Sequence, residues 1–216
     1  MPRSKREKLI INADDFGLSE NFNKGILELA DRNIVTSTSV LVDEKHALSK
    51  DIRKHPVSIG LHLDLSENLE DSAIKKEIGR QIRKFVSLYG RLPSHLDGHK
   101  NCHLIQKIFP KIIEVAKKYN LPIRSINDKN RIAIREAGLR TPSRLVWWNV
   151  EYKHVLFQAL QKDYSGVTEL LCHPGYFDPK SISSYNKQRE KELKILRSVK
   201  FKDLLKNFEL VNYSNT

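Results

Sequence analysis

The chain is poor in cysteine: Cys102 and Cys172 are the only two among 216 residues. Two thiols build no disulfide framework, so a hydrophobic core has to hold the fold, and a reducing cytoplasm is the expected compartment. Long apolar runs are missing as well. No uncharged stretch approaches the ~20 residues of a membrane-spanning helix. Leu9-Ile10-Ile11, behind the basic Met1–Lys8, stops at Asn12, short of the ~7–15-residue apolar centre of a secretory signal. Gly-x-Gly-x-x-Gly fingerprints, Walker loops and Gly-x-Ser-x-Gly elbows are absent, which removes the common dinucleotide, nucleotide and serine-hydrolase signatures. No repeat, low-complexity tract or compositional shift marks a boundary, so residues 1–216 read as one domain.

Positive charge is in excess. Lys and Arg number 38 against 26 Asp and Glu, a net charge of +12, which favours encounters with polyanions without naming a partner. From Lys180 to Lys206 nine Lys/Arg face only Glu190, Glu192 and Asp203. That run reads either as a nucleic-acid footprint or as a solvated helix face. It holds no binding motif, and its aromatics Tyr185 and Phe201 stand far apart, so the solvated face is adopted.

Hydrophobic periodicity alternates between strand and helix. Strands are expected at Leu9–Ala13, Thr36–Val42, Val57–Leu63, Ser94–Gly98, Leu121–Ile126, Val167–Cys172 and Phe208–Tyr213. Helices are expected at Asn21–Arg32, Glu70–Leu88, Leu104–Tyr119 (with Pro110 in its first turns or at a kink), Val150–Leu160 and Tyr185–Arg197. Asn127–Pro142 is polar and ambiguous. Strands separated by helical crossovers pair in parallel, so the class is α/β. Alternation alone leaves barrel and open sheet both standing.

Chemistry-bearing residues stand where those strands end. Asp14-Asp15 closes the first, His62 the third, His95-Leu96-Asp97-Gly98-His99 the fourth and His173 the late one. In parallel α/β folds these ends share one face, where sites are assembled from several strands. Six of these residues, two Asp and four His, suit a divalent cation held by mixed nitrogen and oxygen donors. Each piece has a bland alternative. Asp14-Asp15 also reads as a helix cap and turn, and His62 as a strand-end histidine. In an extended segment His95, Asp97 and His99 project to one side, so Asp97 can orient an imidazole. His103 lies four residues beyond His99 and reads equally as a site or a structural residue. His46, His55 and His154 read as surface. Cys172, inside Leu170-Leu171-Cys172, reads as a buried thiol; Cys102 beside His103 is a weaker nucleophile candidate than the metal cluster is a site.

Taken together, Asn12-Ala13-Asp14-Asp15-Phe16-Gly17, Ile34-Val35-Thr36-Ser37-Thr38-Ser39, Gly60-Leu61-His62-Leu63, His95-Leu96-Asp97-Gly98-His99 and Cys172-His173-Pro174-Gly175-Tyr176 resemble the YdjC-like carbohydrate deacetylases. These include chitooligosaccharide deacetylases and are distantly related to NodB-type polysaccharide deacetylases. The resemblance runs in order from about Leu9 to Tyr176. It implies a distorted or incomplete (β/α) barrel that removes an N-acetyl group from an amino sugar with one divalent metal ion, Mg or Zn. Residue by residue it implies Asp15, His62 and His99 as metal ligands, Asp14 as general base and His173 as the acid that protonates the leaving amine. Arg124 matches an arginine that steadies carboxylates or substrate, with Asp97 and His103 supporting. Two departures bear on substrate choice: Lys100-Asn101-Cys102 replaces a histidine-rich step, and the segments between His62 and His95 and between Arg124 and Glu169 are trimmed.

Other functions share this residue set. A metal-dependent phosphoesterase acting on an anionic substrate would suit the net charge, though a two-metal version needs more ligands. A non-catalytic sugar- or nucleic-acid-binding protein is the reading from a different class. The expected partner is a small N-acetylated carbohydrate, and an open sheet edge would be buried in a homodimer.

Overall fold

Alternate residues of the first strand meet two different environments, and that alternation explains how the molecule is built. In this computed structural model, which describes residues 7–48, 51–162 and 164–215, β1 runs from Glu7 to Phe16. Its Leu9, Ile11 and Ala13 join the main apolar cluster with Ile26 and Leu29 of α1 (Glu20–Asp31). Ile10 packs instead with Val211 and Tyr213, and Asn12 and Asp14 turn to the same inner side, as period-2 geometry requires. Most of the basic N-terminal segment, Met1–Arg6, lies outside the described residues.

The other elements follow as β2 (Ser37–Val40), β3 (Ser58–Leu63), α2 (Asp71–Tyr89), β4 (Leu96–Gly98), α3 (Phe109–Tyr119), α4 (Asp128–Glu136), β5 (Arg144–Val146), α5 (Lys153–Leu160), β6 (Val167–Cys172), α6 (Asn186–Leu196), α7 (Val199–Leu205) and β7 (Phe208–Leu210). All strand pairs are parallel, in the order β4-β3-β2-β1-β6-β5. β7 pairs with Glu7–Leu9 and β2 with Asn12–Phe16, so both lie along one edge of β1, opposite β6. The sheet is a curled, incomplete α/β barrel, as the family resemblance implied.

Between β4 and β5 the wall is irregular. The strand expected over Leu121–Ile126 is reduced to one bridge, Leu96 to Ile123, because Pro122 has no N–H to continue a ladder. The Ile123 N–H donates onward to the Arg140 carbonyl at 3.0 Å, which carries the wall toward β5. The helix expected from Leu104 begins only at Phe109, with Pro110 in its first turn. Ahead of it, His99–Leu104 forms a 3-10 turn in which Lys100 and Asn101 are left-handed (φ 50° and 59°), a conformation that a helix cannot propagate. The ambiguous Asn127–Pro142 stretch contains α4, capped by the Asn127 side chain. β5 and α7 were not anticipated. Phe208–Tyr213 shortens to β7 plus a 3-10 turn at Tyr213–Asn215. The basic C-terminal region is mostly a solvated face, with Lys191 paired to Glu151 and Lys206 to Asp203. Among the described residues no helix is long and apolar enough to cross a membrane.

The inside of the barrel is polar, which is unusual for a space closed off from water. Ser37, Ser39, Ser58, His95, Asp97, Arg124, Glu169 and Tyr213 are all buried there or against it. Space is tight: a Cβ on Gly60 of β3 would fall 2.2 Å from the His95 ring, which itself stacks on Tyr213 with centroids 3.6 Å apart. Gly60→Ala should therefore destabilise the protein by about 1–3 kcal/mol, the usual cost of overpacking. Thermal unfolding checks this; an unchanged melting temperature would mean that the stack is loose.

Candidate active site

At the C-terminal rim of the sheet a cleft of about 630 Å³ opens, with Asp14, Asp15, His62, His99 and His173 on its walls. Five side chains from distant parts of the chain thus meet as the strand-end argument expected. Strict alternation would have sent Asp14 and Asp15 to opposite sides of β1. The register with β2 slips between Ala13 and Phe16, and Asp15 takes a left-handed φ of 66°. That bulge re-aims the second carboxylate into the same cleft.

Asp15 is the centre of one group. Its Oδ1 accepts from His99 Nδ1 at 3.0 Å and lies 3.2 Å from His62 Nε2, and ligand atoms of the three residues all fall within 4.8 Å of one another. Oδ2 accepts from Arg189 Nη2. The far nitrogen of His62, Nδ1, donates to Asp97 Oδ1 at 2.8 Å. A carboxylate behind an imidazole fixes both its orientation and its basicity, as in many metal centres. Burial alone would lower the His62 pKa, but the carboxylates of Asp97 and Asp14 outweigh it and hold the pKa well above its ordinary value. Burial likewise opposes ionisation of Asp15, yet hydrogen bonds from His62 and His99 keep its carboxyl well below the usual range.

Asp14 belongs to a second group, built around a fully enclosed arginine. Arg124 grips both Asp14 oxygens at 2.7 Å through Nη1 and Nη2. It also lies 2.9 Å from Asp97 Oδ2 and donates from Nε to Glu169 Oε1 at 2.8 Å. Asn12 and Ser39 donate to Asp14 Oδ1 as well. Tyr213 completes the chain by donating to Glu169 Oε2 at 2.6 Å. His173 follows β6; its backbone N–H donates to Glu192 Oε2 at 2.6 Å, and Tyr185 donates to Glu192 Oε1 at 2.7 Å.

Other sequence candidates lie off the cleft. His95 faces the barrel interior against Tyr213. His103 is fully buried, with Nε2 3.2 Å from the Arg124 carbonyl, and burial pushes its pKa down to about 4; it supports the arginine's backbone. Cys102 is buried with its thiol pushed up to about 12, so no thiolate forms there. Glu169, Arg189 and Glu192 were missed. Two signals could have revealed them. Glu169 is the one charge inside the apolar run of β6, and Arg189 and Glu192 fall on the same helical stripe as Leu193 and Leu196.

The rim geometry has relatives. The sequence matches the YdjC-like protein family over residues 8–207. It is 32% identical over 249 residues to a carbohydrate deacetylase of Clostridium beijerinckii, covering 96% of this chain and 99% of that one. It is 29% identical to a chitooligosaccharide deacetylase of Serratia marcescens, covering 87% and 90%. The first alignment is longer than this chain, so that relative carries residues with no counterpart here. A solved structure from Enterococcus faecalis V583, named as a candidate cellobiose-phosphate cleavage protein, superposes with a TM-score of 0.84 at 26% identity, covering 97% of this chain and 98% of that one. With the family matched over nearly the whole chain and the fold matched end to end, this protein belongs to the YdjC-like family.

Proposed function

We propose that the protein is a metal-dependent carbohydrate deacetylase that hydrolyses the N-acetyl group of an amino sugar. The observation that carries the reading is the convergence of Asp15, His62 and His99 within ligand distance of one another on a cleft that also presents Asp14 and His173. The named relatives act in the same sense, on carbohydrate and on chitooligosaccharide.

The donor set fits a divalent cation. One carboxylate oxygen and two imidazole nitrogens, with Asp97 behind one of them, suit zinc or another first-row transition ion better than magnesium, which favours oxygen donors. In the second group, Asp14, His62 and Asp97, both carboxylates already pair with the Arg124 guanidinium, so we assign a single cation. Bound there, it supplies Lewis acidity, activating a water and polarising the acetyl carbonyl. The chain's own residues do the rest. Asp14, aimed by Arg124, Asn12 and Ser39, takes the proton of the attacking water. His173, steadied through its backbone by Glu192, gives a proton to the departing amine. Arg189 holds Asp15 Oδ2, which leaves Oδ1 for the cation. Two buried free thiols fit a reducing compartment, and we place the enzyme in the cytoplasm.

Acetate release from N-acetylated mono- and oligosaccharides, with and without chelator, tests the reading. Zinc-restored, chelator-abolished release supports it; phosphate release from model esters with no acetate would overturn it.

Cation uptake should also depend on pH in a defined direction. Without metal, both His62 nitrogens donate to carboxylates and the ring is protonated, whereas coordination requires it neutral, so binding expels a proton. Below the raised His62 pKa the apparent affinity should fall about tenfold per pH unit. The His62 share of metal-free stability should move the other way, whereas the Asp15 share, at lower pH, moves with the affinity. The His62 contribution is complete below its unfolded value of about 6.5 and fades as pH rises through the native one. The Asp15 contribution is complete above its unfolded value of about 3.9 and is lost as pH falls through the native one. Calorimetry in buffers of different ionisation enthalpy counts the proton; uptake with none released would contradict the His62 assignment.

A further inference from the structure

We propose that Tyr213, buried in the barrel beneath the cleft, is a positioning residue that keeps Asp14 in aim through Glu169 and Arg124. This rests on the deacetylase reading, with Asp14 as the base. Tyr213 is fully enclosed and lines no part of the cleft, so it cannot touch a substrate there. It also stands beyond residue 207, where the family match ends. Its side chain is fixed at both ends. The ring lies flat on His95, with centroids 3.6 Å and planes 9° apart. The backbone N–H donates to Ser58 Oγ at 3.4 Å, and the hydroxyl donates to Glu169 Oε2 at 2.6 Å. The hydroxyl is therefore a donor with one direction to point in.

What that donor controls is a competition for Arg124. Nη2 hydrogen bonds to Asp14 Oδ1 at 2.7 Å. Glu169 Oε1 at 2.7 Å and Asp97 Oδ2 at 2.9 Å are further claimants on the same nitrogen, which carries only two hydrogens. Glu169 is fully buried, so no water shares its charge. With Tyr213 on Oε2, the carboxylate divides its demand between the hydroxyl and Arg124 Nε. Without the hydroxyl, Oε2 loses that donor in a medium of low dielectric, and the demand falls on the guanidinium. Arg124 is then drawn toward Glu169, and its two-pronged hold on Asp14 loosens. Misplacing a reacting group by about 1 Å can cost about 10²-fold, and a loosened hold should cost less, about tenfold.

Tyr213→Phe keeps the ring and its stack on His95 and removes only the hydroxyl. Acetate release from N,N′-diacetylchitobiose is measured on zinc-loaded protein, with active sites counted by bound zinc. The variant should lose about tenfold in kcat with KM unchanged, because the lost interaction serves the base and not the sugar. In Glu169→Gln no carboxylate competes for the guanidinium, so adding Tyr213→Phe should change kcat by less than about twofold. A third readout needs neither zinc nor sugar: the Arg124 Nε–H resonance, identified by its loss in Arg124→Lys, should move in Tyr213→Phe. Wild-type kcat in Tyr213→Phe, losses that add in full to those of Glu169→Gln, or an unmoved Arg124 resonance would each overturn the positioning role and leave the deacetylase standing. A wild-type protein that releases no acetate from any N-acetylated sugar would overturn the deacetylase reading and the role of Tyr213 with it.

Discussion

Asp15→Ala is expected to abolish stoichiometric cation binding and acetate release together, whereas Asp14→Asn should keep the cation and lose at least about 10²-fold in kcat, the scale of a lost general base. The two carboxylates are neighbours in sequence, yet the structure gives them different partners. Asp15 Oδ1 faces two imidazoles; Asp14 is clasped by Arg124, Asn12 and Ser39. Removing the first takes away the one anionic donor of the trio. Changing the second to an amide preserves its shape but leaves nothing to accept the water's proton. Metal analysis and kinetics on both variants separate the roles. Full turnover by Asp14→Asn would disprove the base assignment, and a cation retained by Asp15→Ala would disprove the ligand.

The second large effect concerns stability. Arg124 is 1% exposed and is the shared counter-ion of Asp14, Asp97 and Glu169. Burial alone would lower its pKa, but those carboxylates hold it well above its ordinary value. Arg124→Met would leave three buried carboxylates around an apolar side chain. Breaking a buried pair in this way costs about 3–5 kcal/mol, a large share of the ~5–15 kcal/mol that holds a typical domain together. Arg124→Lys should recover only part, since an ammonium cannot fork to both Asp14 oxygens. Glu169→Gln, which removes a single member, should cost less than Arg124→Met. Chemical denaturation measures all three; an Arg124→Met midpoint close to wild type would mean that the cluster carries little of the fold's stability.

The part of this site visible in the sequence was the part that local rules control. An apolar run ending in Asp14-Asp15, or in His62, shows where a strand stops and which residues reach the rim, because strand ends in a parallel sheet share one side. Arg124 became visible through resemblance, and its three carboxylate partners could not be assigned, since they come from β1, β4 and β6 and meet only when the sheet curls. Glu169 was read as part of an apolar strand and Arg189 as one more charge in a basic run. In both cases the helix or strand period, applied to the polar residue, would have pointed inward. The bulge at Asp15 had no local signal, since neither neighbour is a glycine that announces a left-handed turn. The strand expected at Leu121–Ile126 failed for the opposite reason: its apolar pattern was right for burial, but Pro122 denied it the ladder.

The account is tested most directly by anomalous diffraction at the zinc edge from crystals of the zinc-loaded protein. One peak is predicted, within bonding distance of Asp15 Oδ1, His62 Nε2 and His99 Nδ1, with Asp97 still behind His62 and Arg124 still on Asp14. A peak elsewhere in the cleft, or none while those three side chains remain hydrogen-bonded to each other, would contradict it.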